Sequence, residues 1–103
     1  MLALLVSSLA SAADPADGKS AYAANCATCH GRKGNGKGPA AIALKPKPTN
    51  FTEADWWVGR TDEQISASIR AGKPDTAMPP FPDLSDAQVA DIVAHLRTFG
   101  PQP

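Results

Sequence analysis

Residues that build chemical sites are scarce in this chain. Its 103 residues include two cysteines, two histidines, two methionines and one tyrosine. With no third cysteine, a zinc site would have to recruit both histidines. Charge of one sign is also lacking: ten basic residues balance ten acidic ones, so no general attraction to nucleic acid or to an anionic membrane follows. No apolar run is long enough to span a bilayer. No stretch alternates apolar and polar residues with period two, so the class expected is all-α. No internal repeat is visible, and the length suits one domain. No nucleophile–base pair or carboxylate constellation stands out, so no catalytic residue is assigned and no enzyme is expected.

What the chain does have is loop. Ten prolines and eight glycines leave a short polypeptide able to bury only a small core. Something else must supply an apolar centre, and one pentapeptide points to it: Cys26-Ala27-Thr28-Cys29-His30. Two thiols three positions apart, with a histidine directly after the second, form the pattern for covalent attachment of one haem c. On a turn of helix the two thiols lie close enough to add one to each vinyl group. The following imidazole can then reach the iron. A thioredoxin-like redox pair or half of a zinc site uses the same spacing. The first needs a surrounding βαβ pattern that the sequence lacks; the second needs His30 and His95 together. Binding of the group is expected to be coupled to folding.

The N-terminus reads as a targeting segment. Leu2 to Leu9 is a short apolar run, and Ala10-Ser11-Ala12 is a small-x-small cleavage pattern before the first charge, Asp14. Residues 1–12 are therefore expected to be a signal peptide and 13–103 the exported domain. The lack of lysine or arginine ahead of the run departs from the usual pattern, so a retained segment or a buried first helix stays open. Export to the periplasm suits thiols that must meet haem outside the cytoplasm.

Three helices are expected. Asp14 to Cys29 starts with Asp14 as cap and Pro15 in the first turn. Gly18 within it either serves a close helix crossing or marks a late start. Thr61 to Ala71 opens on a Thr61/Gln64 capping box and ends at Gly72. Ser85 to Phe99 repeats the box with Ser85 and Gln88, and Val89, Ile92, Val93, Leu96 and Phe99 form its apolar stripe. Between them, Gly31 to Gly38 is loop, Ala40 to Leu44 has room for one helical turn, and Lys45-Pro46-Lys47-Pro48 is extended. Phe51, Trp56 and Trp57 are core. Lys73 to Asp83, with four prolines, is a stiff strap.

The strap carries Met78, flanked by Pro79 and Pro80, which restrict the backbone beside the sulfur. Met78 is the candidate second axial ligand, opposite His30. Its other reading is a flexible core filler. His95 is the rival ligand, but its place beside the apolar stripe suits packing against Gly18 and Tyr22.

The ordered set Cys26-Ala27-Thr28-Cys29-His30-Gly31, Gly36-Lys37-Gly38-Pro39-Ala40, Leu44-Lys45-Pro46-Lys47-Pro48 and Ala77-Met78-Pro79-Pro80-Phe81 resembles the small bacterial class I monohaem cytochromes c. That resemblance covers essentially all of residues 13–103. It implies a fold of three main helices and long loops wrapped around one covalent haem, with first and last helices crossing near a glycine and an aromatic. It implies that the Pro39 carbonyl accepts a hydrogen bond from His30, and that Leu44 packs on the haem. His95 stands where such domains commonly carry tyrosine, so the crossing is expected to respond to pH.

The function implied is an exported one-electron carrier, His/Met ligated, serving unidentified redox partner proteins, with no nucleic acid partner and as a monomer. Membrane contact is expected only through partners or an uncleaved signal segment. A haem ligand binder or peroxidase with an open sixth position shares the attachment residues. So does a dedicated subunit feeding a membrane oxidase or dehydrogenase. Arg32, Lys33, Lys37, Lys45 and Lys47 run without an acid between them, whereas Glu53 through Asp91 holds eight acids against three bases. That asymmetry either steers an acidic partner or is a solvated loop.

Overall fold

A computed structural model describes residues 13–102. The expected signal segment, 1–12, lies outside the described residues. Five α-helices follow in order: α1 Pro15–Asn25, α2 Ala27–His30, α3 Ala54–Trp57, α4 Asp62–Ala71 and α5 Asp86–Arg97, with a 3-10 turn at Ala41–Ala43. No strand occurs among the described residues. The all-α class is as expected, and no helix among these residues is long and apolar enough to cross a membrane.

The helix starts are written in the local sequence. Asp14 caps α1 by accepting from the Ala16 N–H at 2.8 Å, and Pro15 occupies a position whose N–H has no helical partner. Both later caps are reciprocal. The Thr61 hydroxyl accepts from the Gln64 N–H while the Gln64 side chain accepts from the Thr61 N–H, and Ser85 and Gln88 repeat the arrangement at α5.

The single first helix expected from Asp14 to Cys29 is instead two. It breaks at Cys26, whose N–H closes on the Tyr22 carbonyl at 2.8 Å while its own backbone leaves helical geometry. A four-residue helix holds few bonds of its own. The loop after α2 completes it: the Gly36, Gly38 and Ala40 N–H groups donate to the His30, Cys29 and Thr28 carbonyls.

The most extensive helix contact is between α1 and α5. Gly18 is a crossing residue, not a late start, because a Cβ there would overlap the Asp91 carbonyl of α5. Tyr22, one turn on, is 1% exposed, and Ile92 is fully buried. Tyr22, His95 and Phe99 pack with their rings tilted or edge-on to one another, centroids 4.8 to 5.5 Å apart. The buried faces of α4 (Ile65, Ile69) and α5 (Val89, Val93, Leu96) close the core with Phe51 and Trp57. The short helix α3 places Trp57 so that its indole N–H donates to the Phe51 carbonyl at 2.8 Å and the Arg97 guanidinium lies over its ring.

Candidate functional site

Two segments with nothing in common in sequence line one cavity. The α1–α2 break contributes Cys26, Cys29 and His30. The strap after α4 contributes Met78. Leu44 and the proline-rich stretch beyond it complete the lining. The space, open mouth included, is about 840 Å³.

Each side is fixed by backbone bonds. The buried Tyr22 hydroxyl donates to the Gly31 carbonyl at 2.6 Å, just past His30. The strap is pinned at both ends. Gly72, with φ +72°, lies so close to Pro79 and Pro80 that a Cβ would press on their backbone. From Lys73 the N–H donates to the Met78 carbonyl at 3.2 Å, and the Phe81 N–H donates to the Ile69 and Arg70 carbonyls at the end of α4. Thr76 turns the strap by accepting from the Met78 N–H and donating to the Lys73 carbonyl.

The donor chemistry suits a covalently held iron macrocycle. Cys26 and Cys29 are both free and half-buried. Burial, with Cys29 close by, pushes the Cys26 thiol up to about 11, the opposite of the lowering that marks a redox-active cysteine. His95 belongs to the helix crossing, not to the cavity. No group of three or more His, Cys, Asp or Glu side chains converges among the described residues, so the four ligands of a structural zinc site do not come together. What remains is two thiols, one imidazole and one thioether around a largely apolar space, a set that fits haem c.

One expected contact is different. The His30 Nδ1 lies 3.1 Å from the Thr49 carbonyl, so Thr49 takes the role expected of Pro39. The reason is the loop folding described above: bonds to the Cys29 and Thr28 carbonyls hold the Gly38–Ala40 segment along the end of α2, and Pro39 does not line the cavity. The Phe51 ring stacks on His30, centroids 4.7 Å apart. Burial lowers the His30 pKa, partly offset by the Thr49 carbonyl. Nothing in the sequence singles out Thr49, since a carbonyl belongs to every residue. Phe51 stood out as core, yet its stack on His30 had no signal.

A helical fold with a cysteine pair, a histidine and a distant methionine around one cavity defines a class I cytochrome c domain. Comparison with known proteins agrees. The family model "Cytochrome C oxidase, cbb3-type, subunit III" matches residues 13–96, and the chain belongs to that family of haem c domains. It is 34% identical to cytochrome c6 of Cyanidioschyzon merolae over 82% of this chain and 74% of that one. It is 35% identical to the cbb3-type cytochrome c oxidase subunit FixP of Azorhizobium caulinodans over 81% of this chain, and it spans about a quarter (26%) of that subunit's length. Among solved structures, the KustC0563 c-type cytochrome superposes with a TM-score of 0.71 at 32% identity, covering 82% of this chain and 99% of that one.

Proposed function

We propose that this chain is an exported one-electron carrier in which Cys26 and Cys29 hold haem c covalently and His30 and Met78 are the axial ligands. One observation carries the reading: the fold brings Met78 into the cavity that already contains Cys26, Cys29 and His30. When bound, haem c supplies an iron couple that exchanges one electron. The protein's part is to hold its own groups still. With Nδ1 turned to the Thr49 carbonyl, Nε2 is the His30 nitrogen left for the metal. The Lys73–Met78 backbone ring and the two prolines after Met78 keep the thioether from wandering. Leu44 and Phe81 keep water from the interior of the site. Such a site moves an electron with little rearrangement and transforms no substrate, and its partners are redox proteins.

The test is the optical spectrum of the haem-loaded protein, oxidised and reduced, with and without carbon monoxide. A low-spin spectrum with the weak far-red sulfur–iron band, unchanged by carbon monoxide, is expected. A high-spin spectrum or ready carbon monoxide binding would refute Met78 ligation and point to a ligand binder or peroxidase.

Membership of the subunit III family favours a second reading, in which the chain is a dedicated domain passing electrons to one membrane oxidase. A stoichiometric complex on co-purification would support it, and a carrier that purifies alone and reduces several acceptors would rule against it.

A further inference from the structure

The His30 imidazole is held by two contacts, and only one of them is a hydrogen bond. Its Nδ1 lies 3.1 Å from the Thr49 carbonyl, which fixes one atom of the ring. A carbonyl accepts over a broad range of directions, so that bond leaves the ring free to turn about it. The second contact is flat. The Phe51 ring lies against the imidazole with centroids 4.7 Å apart and planes 29° apart. Phe51 does not line the cavity, so it reaches the site only through His30. Phe51 is itself braced. Its N–H donates to the Gly34 carbonyl at 2.7 Å, in the loop directly after His30. Its carbonyl accepts the Trp57 indole N–H at 2.8 Å, and the Trp56 ring meets it edge-on, centroids 5.1 Å apart. Trp57 in turn packs so closely on Gly100, just past α5, that a Cβ there would overlap the indole.

Building on the haem c reading above, we infer that Phe51 is the positioning residue of His30: its ring face holds the plane of the imidazole, and Trp57 holds Phe51. A packed aromatic turns only by disturbing its neighbours, so the plane is locked without a second polar contact. The two contacts divide the work. The hydrogen bond decides which nitrogen is left for the metal. The stack decides which way the π system of the ring lies beside it. An imidazole held in one plane gives the oxidised haem a single distribution of unpaired spin, whereas one free to turn gives an average. Leu at position 51 keeps apolar volume and loses the flat face; Tyr keeps the face.

The experiment is proton NMR of the oxidised, haem-loaded protein, in which the order and spread of the haem methyl shifts follow the plane of the axial imidazole. Wild type, Phe51→Leu and Phe51→Tyr are compared at one pH, with denaturant unfolding of each. The Leu variant is expected to stay low-spin while its methyl shifts reorder or draw together, and the Tyr variant to keep the wild-type pattern. Met78 contributes to the same shifts, so the His30 ring and Met78 methyl signals are read alongside; the change is expected in the first and not in the second. A Leu variant that is less stable but keeps the wild-type shifts would overturn the inference, leaving Phe51 a core residue and the Thr49 carbonyl sufficient. A Tyr variant shifted as far as Leu, or a change confined to the Met78 signals, would overturn it too. Should the Leu variant fail to load haem, Trp57→Phe carries the test. It keeps an aromatic ring in the core and removes the N–H donated to the Phe51 carbonyl; reordered methyl shifts are expected, and unchanged ones would overturn the inference. Failure of the haem reading is separate: it shows in the wild type, as no covalent haem.

Discussion

Adding one methyl group at Gly18 tests the helix crossing most directly. An ordinary alanine for glycine in a helix stabilises by about 1 kcal/mol. Here the new Cβ would overlap the Asp91 carbonyl and press on the His95 Cβ. The main obstacle is backbone, which cannot rotate away like a flexible side chain, so the cost belongs at the upper end of the roughly 1–3 kcal/mol typical of overpacking. The difference leaves Gly18→Ala destabilised by about 2 kcal/mol. For a domain of this size that lowers the melting temperature by roughly 8–16 °C. Ala24→Gly, at an exposed position of the same helix, serves as the control and isolates propensity at about 1 kcal/mol. Denaturant unfolding of the haem-loaded protein followed by far-ultraviolet circular dichroism measures both. A Gly18→Ala variant as stable as wild type, or more stable, would show that α1 and α5 do not approach through this residue.

Three further outcomes follow from the same geometry. His95 is buried between Tyr22 and Phe99, and burial together with nearby Lys19 lowers its pKa from 6.5; Asp91, one turn earlier, and the Tyr22 phenol are the other titratable groups at the crossing. The unfolded chain therefore takes up this proton first, so the stability His95 contributes is full above about pH 6.5 and is lost as pH falls through the lower folded value. Melting temperatures that drop from about pH 7 to about pH 5 in wild type but less in His95→Tyr are expected, and parallel profiles would refute the assignment. Tyr22→Phe removes the hydrogen bond to the Gly31 carbonyl, but that carbonyl keeps the Gly34 N–H, so urea unfolding should show a loss near 1 kcal/mol and not the roughly 3 kcal/mol of an orphaned group. Met78→Ala should abolish the far-red band, admit carbon monoxide and lower the midpoint potential; a variant with the wild-type spectrum would exclude Met78 as ligand.

Sequence alone located what local chemistry encodes. The two capping boxes and the Asp14-Pro15 start were legible because a cap is a contact between residues three or fewer apart. The α5 stripe was legible because burial repeats along the helix. Cys26, Cys29, His30, Leu44 and Met78 were legible as candidates, and the structure gathers all five at one cavity. The break at Cys26 was not visible, because Ala21 to Ala24 suit continued helix and the turn is fixed by later loop amides bonding back to α2. Helix α3 was missed because a four-residue helix shows no periodicity. The exchange of Pro39 for Thr49 beside His30 was invisible for a different reason: the acceptor is a main-chain oxygen whose position depends on how the loop after α2 closes.

The two sides of the site rest on the same helical frame through different residues. The cysteine–histidine side hangs from α1, through the Tyr22 carbonyl to Cys26 and the Tyr22 hydroxyl to Gly31. The methionine side hangs from the end of α4, through Gly72 and the two carbonyls that receive the Phe81 N–H. Since α1 and α4 each pack on α5, the separation between His30 and Met78 is set by helix packing and not by loop stiffness alone. Packed interiors resist small displacements far better than solvated loops do. That arrangement seats the two candidate ligand side chains on one packed frame, to which the intervening chain is itself anchored through Phe51, Trp57 and α4. It is the mechanical requirement for passing an electron without moving atoms.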